Sequence, residues 1–295
     1  MKIKGAVLLV AMCLCASLGI AMAQSQGPGQ ATVIVPDTTV ERPQDLGKRM
    51  HTNHLIFYRP DLGGTSPAGE TPLSLACVYQ TWGASLFASR CPYSSSTGPL
   101  PSGGSGIIAI VDAFDYPSAS QDFVTFSKQF NLPSGNKCNP NSNSPCFTKL
   151  TPFGTPRGNC GWAQEAALDI EWAHAMAPTA QIVLVEALSN SNADLYNAVQ
   201  FAASIVGVKQ ISMSWGGGET SGETSTDSAV FGSTTVVYFA SSGDTGGKTI
   251  YPCVSPNVVC AGGTSVNRDS SHLYTGETTW SGSGGGPSQY AVRRS

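Results

Sequence analysis

Residues 161–188, GWAQEAALDIEWAHAMAPTAQIVLVEAL, join a helical pattern to a fully apolar run across Pro178. The first part predicts a helix rich in small and apolar side chains that ends before the proline. The second part, QIVLVEAL, shows no polar alternation, which is typical of a strand buried on both faces. A helix that leads into such a strand indicates a parallel sheet covered by helices.

The same alternation continues on both sides of this stretch. Upstream, GIIAIVDAF at 106–114 predicts a strand, SASQDFVTFSKQFNL at 118–132 predicts a helix, and 134–160 is expected to be a Cys- and Asn-rich loop. Downstream, DLYNAVQFAASI predicts a helix, while VKQISMSWG, TTVVYFASSGD and NVVCAGGTSV predict strands. The sequence therefore predicts an α/β fold with a mainly parallel sheet, whose ligand site lies at the C-terminal ends of the strands.

The composition bounds the class of protein. The chain has 295 residues, of which 41% are hydrophobic, so one large domain with a sizeable core is expected. Only 12% of the residues are charged and the net charge is -3, with no basic cluster. Because phosphate backbones are bound by clustered Lys and Arg, nucleic acid is not expected as a partner.

The N-terminus resembles a targeting segment. Lys2 and Lys4 precede an apolar run that ends in AMA at 21–23, a small-x-small cleavage pattern. This predicts a secretory signal peptide over 1–23. A membrane anchor is the weaker alternative, because the run is short for a span and a cleavage pattern follows it. We expect a secreted or periplasmic protein with no membrane contact after cleavage.

Residues 24–104 are rich in Pro, Gly, Ser and Thr and hold few periodic segments. They are expected to form a leader or linker with weak structure. The main domain is then expected over 105–295.

Seven cysteines follow the predicted cleavage site, and export makes disulfides plausible. Sequence leaves the connectivity open, but the natural pairs are the short loops Cys77–Cys91, Cys138–Cys146 and Cys253–Cys260. These pairs would leave Cys160 alone. No CxxC occurs, and His51 and His54 have no cysteine nearby, so a zinc site is not expected.

Three carboxylates are candidate catalytic groups. Glu165 and Asp169 lie one turn apart on the predicted helix and share a face. Such pairs are usually solvated, but here the surroundings are apolar, and a half-buried pair would share a proton in mild acid. Asp244 follows a strand in a Gly-rich turn, where it is either an ordinary turn residue or a protonated donor to an oxyanion.

Ordered motifs in this chain resemble a known family. EAALD before AHAMAP, then ISMSWGG, SSGDTG, YPCVSPNVVCAGGTS and TWSGSGGGPSQY, are similar in order and content to the sedolisins. These are the serine-carboxyl peptidases of peptidase family S53, which are acid proteases with a subtilisin-like fold. The resemblance covers about residues 105 to 290.

The resemblance implies roles for particular residues. Glu165 matches the family's general base, Asp169 matches the aspartate that hydrogen-bonds that glutamate, and Asp244 matches the oxyanion-hole aspartate. The segment SWGG matches the strand edge that pairs with the substrate backbone, which makes Ser214, Trp215, Gly216 and Gly217 the expected substrate-binding residues. A peptide or protein substrate and a monomeric enzyme are expected.

One part of the family pattern is missing. In the family, the nucleophilic serine opens a late helix and is followed by small residues and a proline. No such motif occurs here, and Ser265 in GGTSVNRDSS is followed by neither. We therefore expect a chain that lacks its C-terminal elements and is inactive as given. No cofactor is expected, since the ligands of the family's Ca²⁺ site would lie beyond Ser295.

Two further residues receive a structural interpretation. Asp112 lies at a strand end, as does an aspartate of ordinary subtilisins, but Asp169 is available and no catalytic histidine is nearby. His174 lies near the end of the predicted helix and is expected to be a core or helix-end histidine.

Three functions remain open at this point. The first is a sedolisin-type endopeptidase in truncated form. The second is a secreted pseudoprotease that binds a peptide or a partner without cutting it. The third is another secreted α/β hydrolase or a lectin, which the ordered motifs disfavour.

Overall fold

A computed structural model describes residues 23–24, 32–58, 69–81, 91, 101–135, 138 and 144–292. The helices are α1 Pro72–Val78, α2 Ala119–Gln129, α3 Cys160–Met176, α4 Asn192–Ser204 and α5 Asp227–Val230. The strands are β1 Ala23–Gln24, β2 Thr32–Ile34, β3 His51–Thr52, β4 Ile56–Tyr58, β5 Ile107–Ala113, β6 Cys146–Leu150, β7 Gln181–Ala187, β8 Val208–Met213, β9 Trp215–Gly216, β10 Val237–Ser241, β11 Val258–Ala261, β12 Thr264–Arg268 and β13 Tyr274–Thr279.

Six strands form the central sheet in the order β11-β10-β8-β5-β7-β6. Every neighbouring pair in this sheet is parallel. All seven residues of β7 are buried, as expected for a strand with helices on both faces. The predicted α/β fold with a mainly parallel, helix-flanked sheet is confirmed.

The two faces of the sheet carry separate cores. Alternate residues of a strand point to opposite faces, so neighbours in β5 and β7 belong to different clusters. One face packs against α4 through Val111, Val185, Leu195 and Val199. The other packs against α2 and α3 through Ile110, Leu184, Phe123 and Ile170.

Helix α3 carries two of the candidate carboxylates. Asn159 caps it, because its side-chain oxygen accepts a hydrogen bond from the Trp162 backbone N–H at 3.2 Å. A cap of this kind stabilises a helix by about 1 kcal/mol. The helix ends at Met176, before Pro178, as the sequence predicts. Helix α3 packs against β5 and β7, and Glu165 is close enough to Asp112, near the C-terminal end of β5, to interact with it by charge.

Two elements, the strand β6 and a later hairpin, differ from expectation. The strand β6 lies within the predicted loop 134–160, where five residues among Asn and Pro give too short a pattern to detect. The hairpin β12–β13 was also not predicted, and it places Ser265 in a strand opposite Thr278. At one edge of the main sheet, Val259 of β11 is 46% exposed. The absence of C-terminal elements stays a prediction.

The region 24–104 contains more structure than predicted. Strands β1, β2 and β4 form a small antiparallel sheet, and β3 pairs with β9. Helix α1 begins with a capping box between Thr71 and Ser74. Strands β1 to β4 have only two or three residues each, which is too short for a local periodicity to predict them. The pairing of β3 with β9 also joins distant segments of the chain, so no local pattern indicates it. The predicted signal peptide lies outside the described residues, except for Ala23.

Disulfides follow the predicted short loops. Cys77–Cys91, Cys138–Cys146 and Cys253–Cys260 are all bonded. The expectation that Cys160 is left alone is wrong, because Cys160 is also disulfide-bonded. Among the described residues, no helix combines the length and the apolar character needed to cross a membrane.

Candidate active site

Glu165 is the most enclosed of the candidate carboxylates, with an exposed fraction of 1%. Its Oε2 atom accepts a hydrogen bond from the backbone N–H of Asn53 at 2.8 Å and lies 2.9 Å from Nδ1 of His54. The second oxygen, Oε1, is buried without a hydrogen-bond partner in the described part of the chain. One oxygen of Glu165 is therefore held by hydrogen bonds, while the other has no hydrogen-bond partner among the described residues.

Asp169 lies one helical turn beyond Glu165. Its Oδ1 accepts a hydrogen bond from the Ser214 hydroxyl at 2.7 Å, and its Oδ2 is buried without a partner among the described residues. Burial first, and then the charge of Glu165, raise the pKa of Asp169 well above its usual value. The expected hydrogen bond from Asp169 to Glu165 is not present in the described residues, and Ser214 takes its place. The two groups interact through charge.

Asp112 completes a cluster of three carboxyl groups. It is 1% exposed in β5, and neither of its oxygens has a hydrogen-bond partner within the described residues. Burial, followed by the charges of Asp169, Glu165 and Glu186, raises the pKa of Asp112 well above its usual value. Sequence analysis gives Asp112 a structural role, whereas in the structure Asp112 interacts by charge with Asp169 and Glu165 of α3.

Asp244 lies just after β10, partly buried, with Oδ2 enclosed and without a partner in the described residues. Burial and the charge of Glu165 raise the pKa of Asp244 to about 6, although a positive charge on His54 acts in the opposite direction. Below about pH 6 this side chain is therefore mainly protonated and can donate a hydrogen bond. Asp244 shares a small cavity of about 60 Å³ with Asn53 and Gly216.

The expected substrate edge, Ser214 to Gly217, is already paired. Trp215 is fully buried and its indole N–H donates to the carbonyl of Val111 at 2.8 Å. In β9, Trp215 and Gly216 are antiparallel partners of Thr52 and His51. Gly217 exchanges two backbone hydrogen bonds of 2.9 Å with Tyr251.

A segment from the N-terminal region, Arg49–His54, thus runs through the site. On its other side, the Met50 N–H donates to the carbonyl of Asn190 at 2.9 Å, and the Asn190 amide donates to the carbonyl of Met50 at 2.7 Å. Asn53 also donates from its side chain to Ser241 Oγ at 2.6 Å. The segment Arg49–His54 is therefore bonded on both sides, as an extended peptide would be in a cleft.

Sequence reasoning missed Asn53 and His54 as site residues. Sequence analysis gives His51 and His54 no role and mentions them only in excluding a zinc site. The available signal was the motif HTNH, which holds two of only four histidines in a chain with 12% charged residues. The contact of His54 with Glu165 spans 111 residues, so no local pattern could have located it.

Two other expectations concern His174 and metals. His174 is fully buried in α3 with its ring against Phe123, and burial lowers its pKa to about 4, so it is a neutral core residue. Within the described ranges, no group of three His, Cys, Asp or Glu side chains is arranged to hold a metal ion.

Comparison with known proteins shows a likeness to solved structures. No family model matches the sequence, and no curated protein does either. Among solved structures, a Pseudomonas sedolisin (serine-carboxyl proteinase), in complex with two molecules of pseudo-iodotyrostatin, superposes with a TM-score of 0.58 at 22% identity. The alignment covers 78% of this chain and 66% of the sedolisin chain, so this chain spans just under two thirds of its length.

A weaker likeness is to an S41 psychrophilic protease, with a TM-score of 0.43, 15% identity, and coverage of 74% of this chain and 67% of that one. The sedolisin superposition agrees with the six-stranded parallel sheet and its flanking helices described above. The fold of this chain is therefore the subtilisin-like, peptidase-like fold of the sedolisins.

Proposed function

We propose that this chain carries the site of a sedolisin-type serine-carboxyl endopeptidase that acts in acid. The observation that supports it best is the enclosure of Glu165, whose charge acts on three further carboxyl groups, Asp112, Asp169 and Asp244. Structural clusters rarely bury several carboxyl groups without cations, because desolvation is costly, so such a cluster indicates a functional site.

The proposed chemistry follows from the states of these groups. Glu165 is the general base that takes the proton of a serine hydroxyl as this oxygen attacks the peptide carbonyl. Asp169, held by Ser214, positions Glu165 through its charge. Asp244, when protonated, donates a hydrogen bond to the oxyanion that develops on the carbonyl oxygen. The backbone of β9 holds the substrate in extended form.

This proposal does not assign the attacking serine to a residue of the sequence. No serine or threonine hydroxyl hydrogen-bonds to Glu165 among the described residues. Ser265 lies in the β12–β13 hairpin, paired opposite Thr278.

A second candidate function is peptide binding without cleavage. The pairing of β9 with His51 and Thr52 favours it, because it demonstrates that this edge accepts an extended strand. In this case Glu165 and Asp244 would contact the bound backbone without chemistry. In both cases His51 and Thr52, the residues of β3, have to leave β9 before another peptide can pair there.

Turnover and binding separate the two candidates. The full chain is incubated with a quenched fluorescent peptide library between pH 3 and pH 7, and binding is followed by anisotropy of a labelled peptide. Cleavage that is lost in Glu165→Gln, and kept in the control Glu277→Gln, supports the peptidase. Binding without cleavage supports the second candidate, and the absence of both contradicts both.

We also propose that the protein is secreted and monomeric. Three disulfides in the described residues support export, since such bonds persist in oxidising compartments. Intact mass of the exported protein, together with its mass by light scattering, tests both statements; a cytoplasmic protein or a stable dimer would contradict them.

A further inference from the structure

A second cavity, of about 360 Å³, lies between α2 and α3 beside the candidate active site. Its size is within the usual range for ligand pockets. Residues from one face of each helix line it, and the segment His54–Phe57 forms another wall. Its lining side chains include His54, Tyr116, Asp122, Phe126, Glu171 and Trp172.

Besides the amides of Gln129 and Gln164, the polar groups of this cavity include two carboxyl groups. Asp122 Oδ2 accepts hydrogen bonds from the Tyr116 hydroxyl at 2.6 Å and from the Ser118 hydroxyl at 2.7 Å, and its carboxylate can accept more. Glu171 has no hydrogen-bond or ion-pair partner in the described part of the chain. Two carboxyl groups thus face a space that supplies no cation.

His54 adds a third acceptor. It is 8% exposed, and its Nε2 is buried without a partner within the described residues. Its Nδ1 faces Glu165 Oε2 at 2.9 Å, and when Nδ1 carries the proton, Nε2 of the neutral ring accepts. Asp122, the ionised form of Glu171 and the neutral form of His54 therefore present the same requirement, a ligand rich in donors.

Apolar and aromatic side chains make up most of the other lining residues, together with Thr125, Gln129 and Gln164. Phe126 and Trp172 come from facing helices, and Leu168 and Phe57 lie nearer the opening, with 42% and 61% of their surfaces exposed. An arginine side chain matches this combination. Its guanidinium has five donors and no acceptor, its plane stacks on aromatic rings, and its stem is aliphatic.

We propose that this cavity binds the arginine side chain of a peptide held at the candidate active site. His54 contacts both Glu165 and the cavity, so a chain that continues past Glu165 reaches it directly. This inference rests on the proposed function, because it assumes that a peptide occupies the site, and it adds the class of side chain selected.

Protonation of Glu171 gives the cavity a measurable signature. Burial, and then the charge of Asp122, raise the pKa of Glu171 to about 8. The other titratable groups that face it are Tyr116 and His54. The empty cavity therefore holds a mostly protonated Glu171 at pH 7, and a bound cation favours the carboxylate. Binding then releases a proton, and affinity falls as the pH falls.

The test compares two labelled octapeptides of Ala and Ser that differ at one central position. One carries arginine and the other carries citrulline, which has nearly the same shape without the charge. On the full chain at pH 7 we expect about tenfold tighter binding of the arginine peptide, as charge-assisted hydrogen bonds add to affinity. Glu171→Gln should bring the ratio close to one, while Glu277→Gln, outside the cavity, should leave it at tenfold.

Calorimetry in two buffers of different ionisation enthalpy provides a measurement that needs no variant. Release of a proton on binding the arginine peptide, and none with citrulline, supports the cavity. Equal affinities in the unmodified chain, a ratio that survives Glu171→Gln, or no binding of either peptide would overturn it. Because citrulline binding and turnover report the proposed function separately, tight binding of both peptides equally would reject the arginine site alone.

Discussion

Glu165 and Glu171 lie six residues apart on the same helix, yet their surroundings differ in one respect. Glu165 is enclosed together with two groups that face its Oε2 atom, Asn53 N–H and His54 Nδ1. Glu171 is enclosed with a second carboxylate, Asp122, and burial raises its pKa to about 8. One helix thus presents a carboxylate suited to accept a proton and a carboxyl group that lacks a cation. Donors from other segments, rather than the helix, make the difference.

The largest expected effect comes from removing the carboxylate of Glu165. Glu165→Gln should lower turnover of a cleavable peptide by about 10³-fold, because general base catalysis is worth about 10²–10⁴-fold. The measurement is kcat/KM at pH 4, with Glu277→Gln as a control of equal charge change. Turnover within a few-fold of the unmodified chain would remove Glu165 from the chemistry.

Asp244 should set the pH dependence. Its pKa is about 6, so the protonated donor is present below that value and is lost as the pH rises through it. Turnover should fall through about pH 6. Asp244→Asn donates at every pH, so it should flatten this limb; altered geometry should cost about 10²-fold, which is typical for an oxyanion donor. An unchanged limb in the variant would assign the pH dependence to another group.

Asp112 tests the cost of the carboxyl cluster in the folded state. Its folded pKa lies above its unfolded value, so the folded protein is favoured in acid, and this contribution is lost as the pH rises from about 4. Asp112→Asn should therefore raise the free energy of unfolding at pH 7 by about 1–3 kcal/mol and change little at pH 4. Denaturant unfolding at both pH values measures it; equal effects at the two values would mean that the pKa of Asp112 does not differ between the folded and unfolded states.

The smallest effect concerns the Arg49–His54 segment. His54→Ala removes the contact with Glu165 and should loosen the segment from β9. Affinity for a neutral extended peptide should then rise by up to about tenfold, in line with the loss of one charge-assisted hydrogen bond. Anisotropy of a labelled neutral peptide measures this change. Unaltered affinity would indicate that the segment leaves β9 without cost or that peptides bind elsewhere.

The fold and part of the site could be read from the sequence for the same reason. The strands β5 and β7 and the helix α3 have long local patterns, and α3 places Glu165 and Asp169 on one face. Asn53 and His54 escaped detection because their contacts with Glu165 cross more than 100 residues of chain. The cavity of Glu171 escaped for a related reason, since it depends on how α2 and α3 pack together.

The pairing of β3 with β9 also has a temporal meaning. Thr52 leaves the ribosome roughly 160 residues before its partner Trp215, which at about 5–20 residues per second is a delay of roughly 10–30 s. Throughout that interval the segment that will hold Glu165 has no strand on which to dock. Assembly of this site is therefore a late event of synthesis, and its first-made residues are among the last to reach their final neighbours.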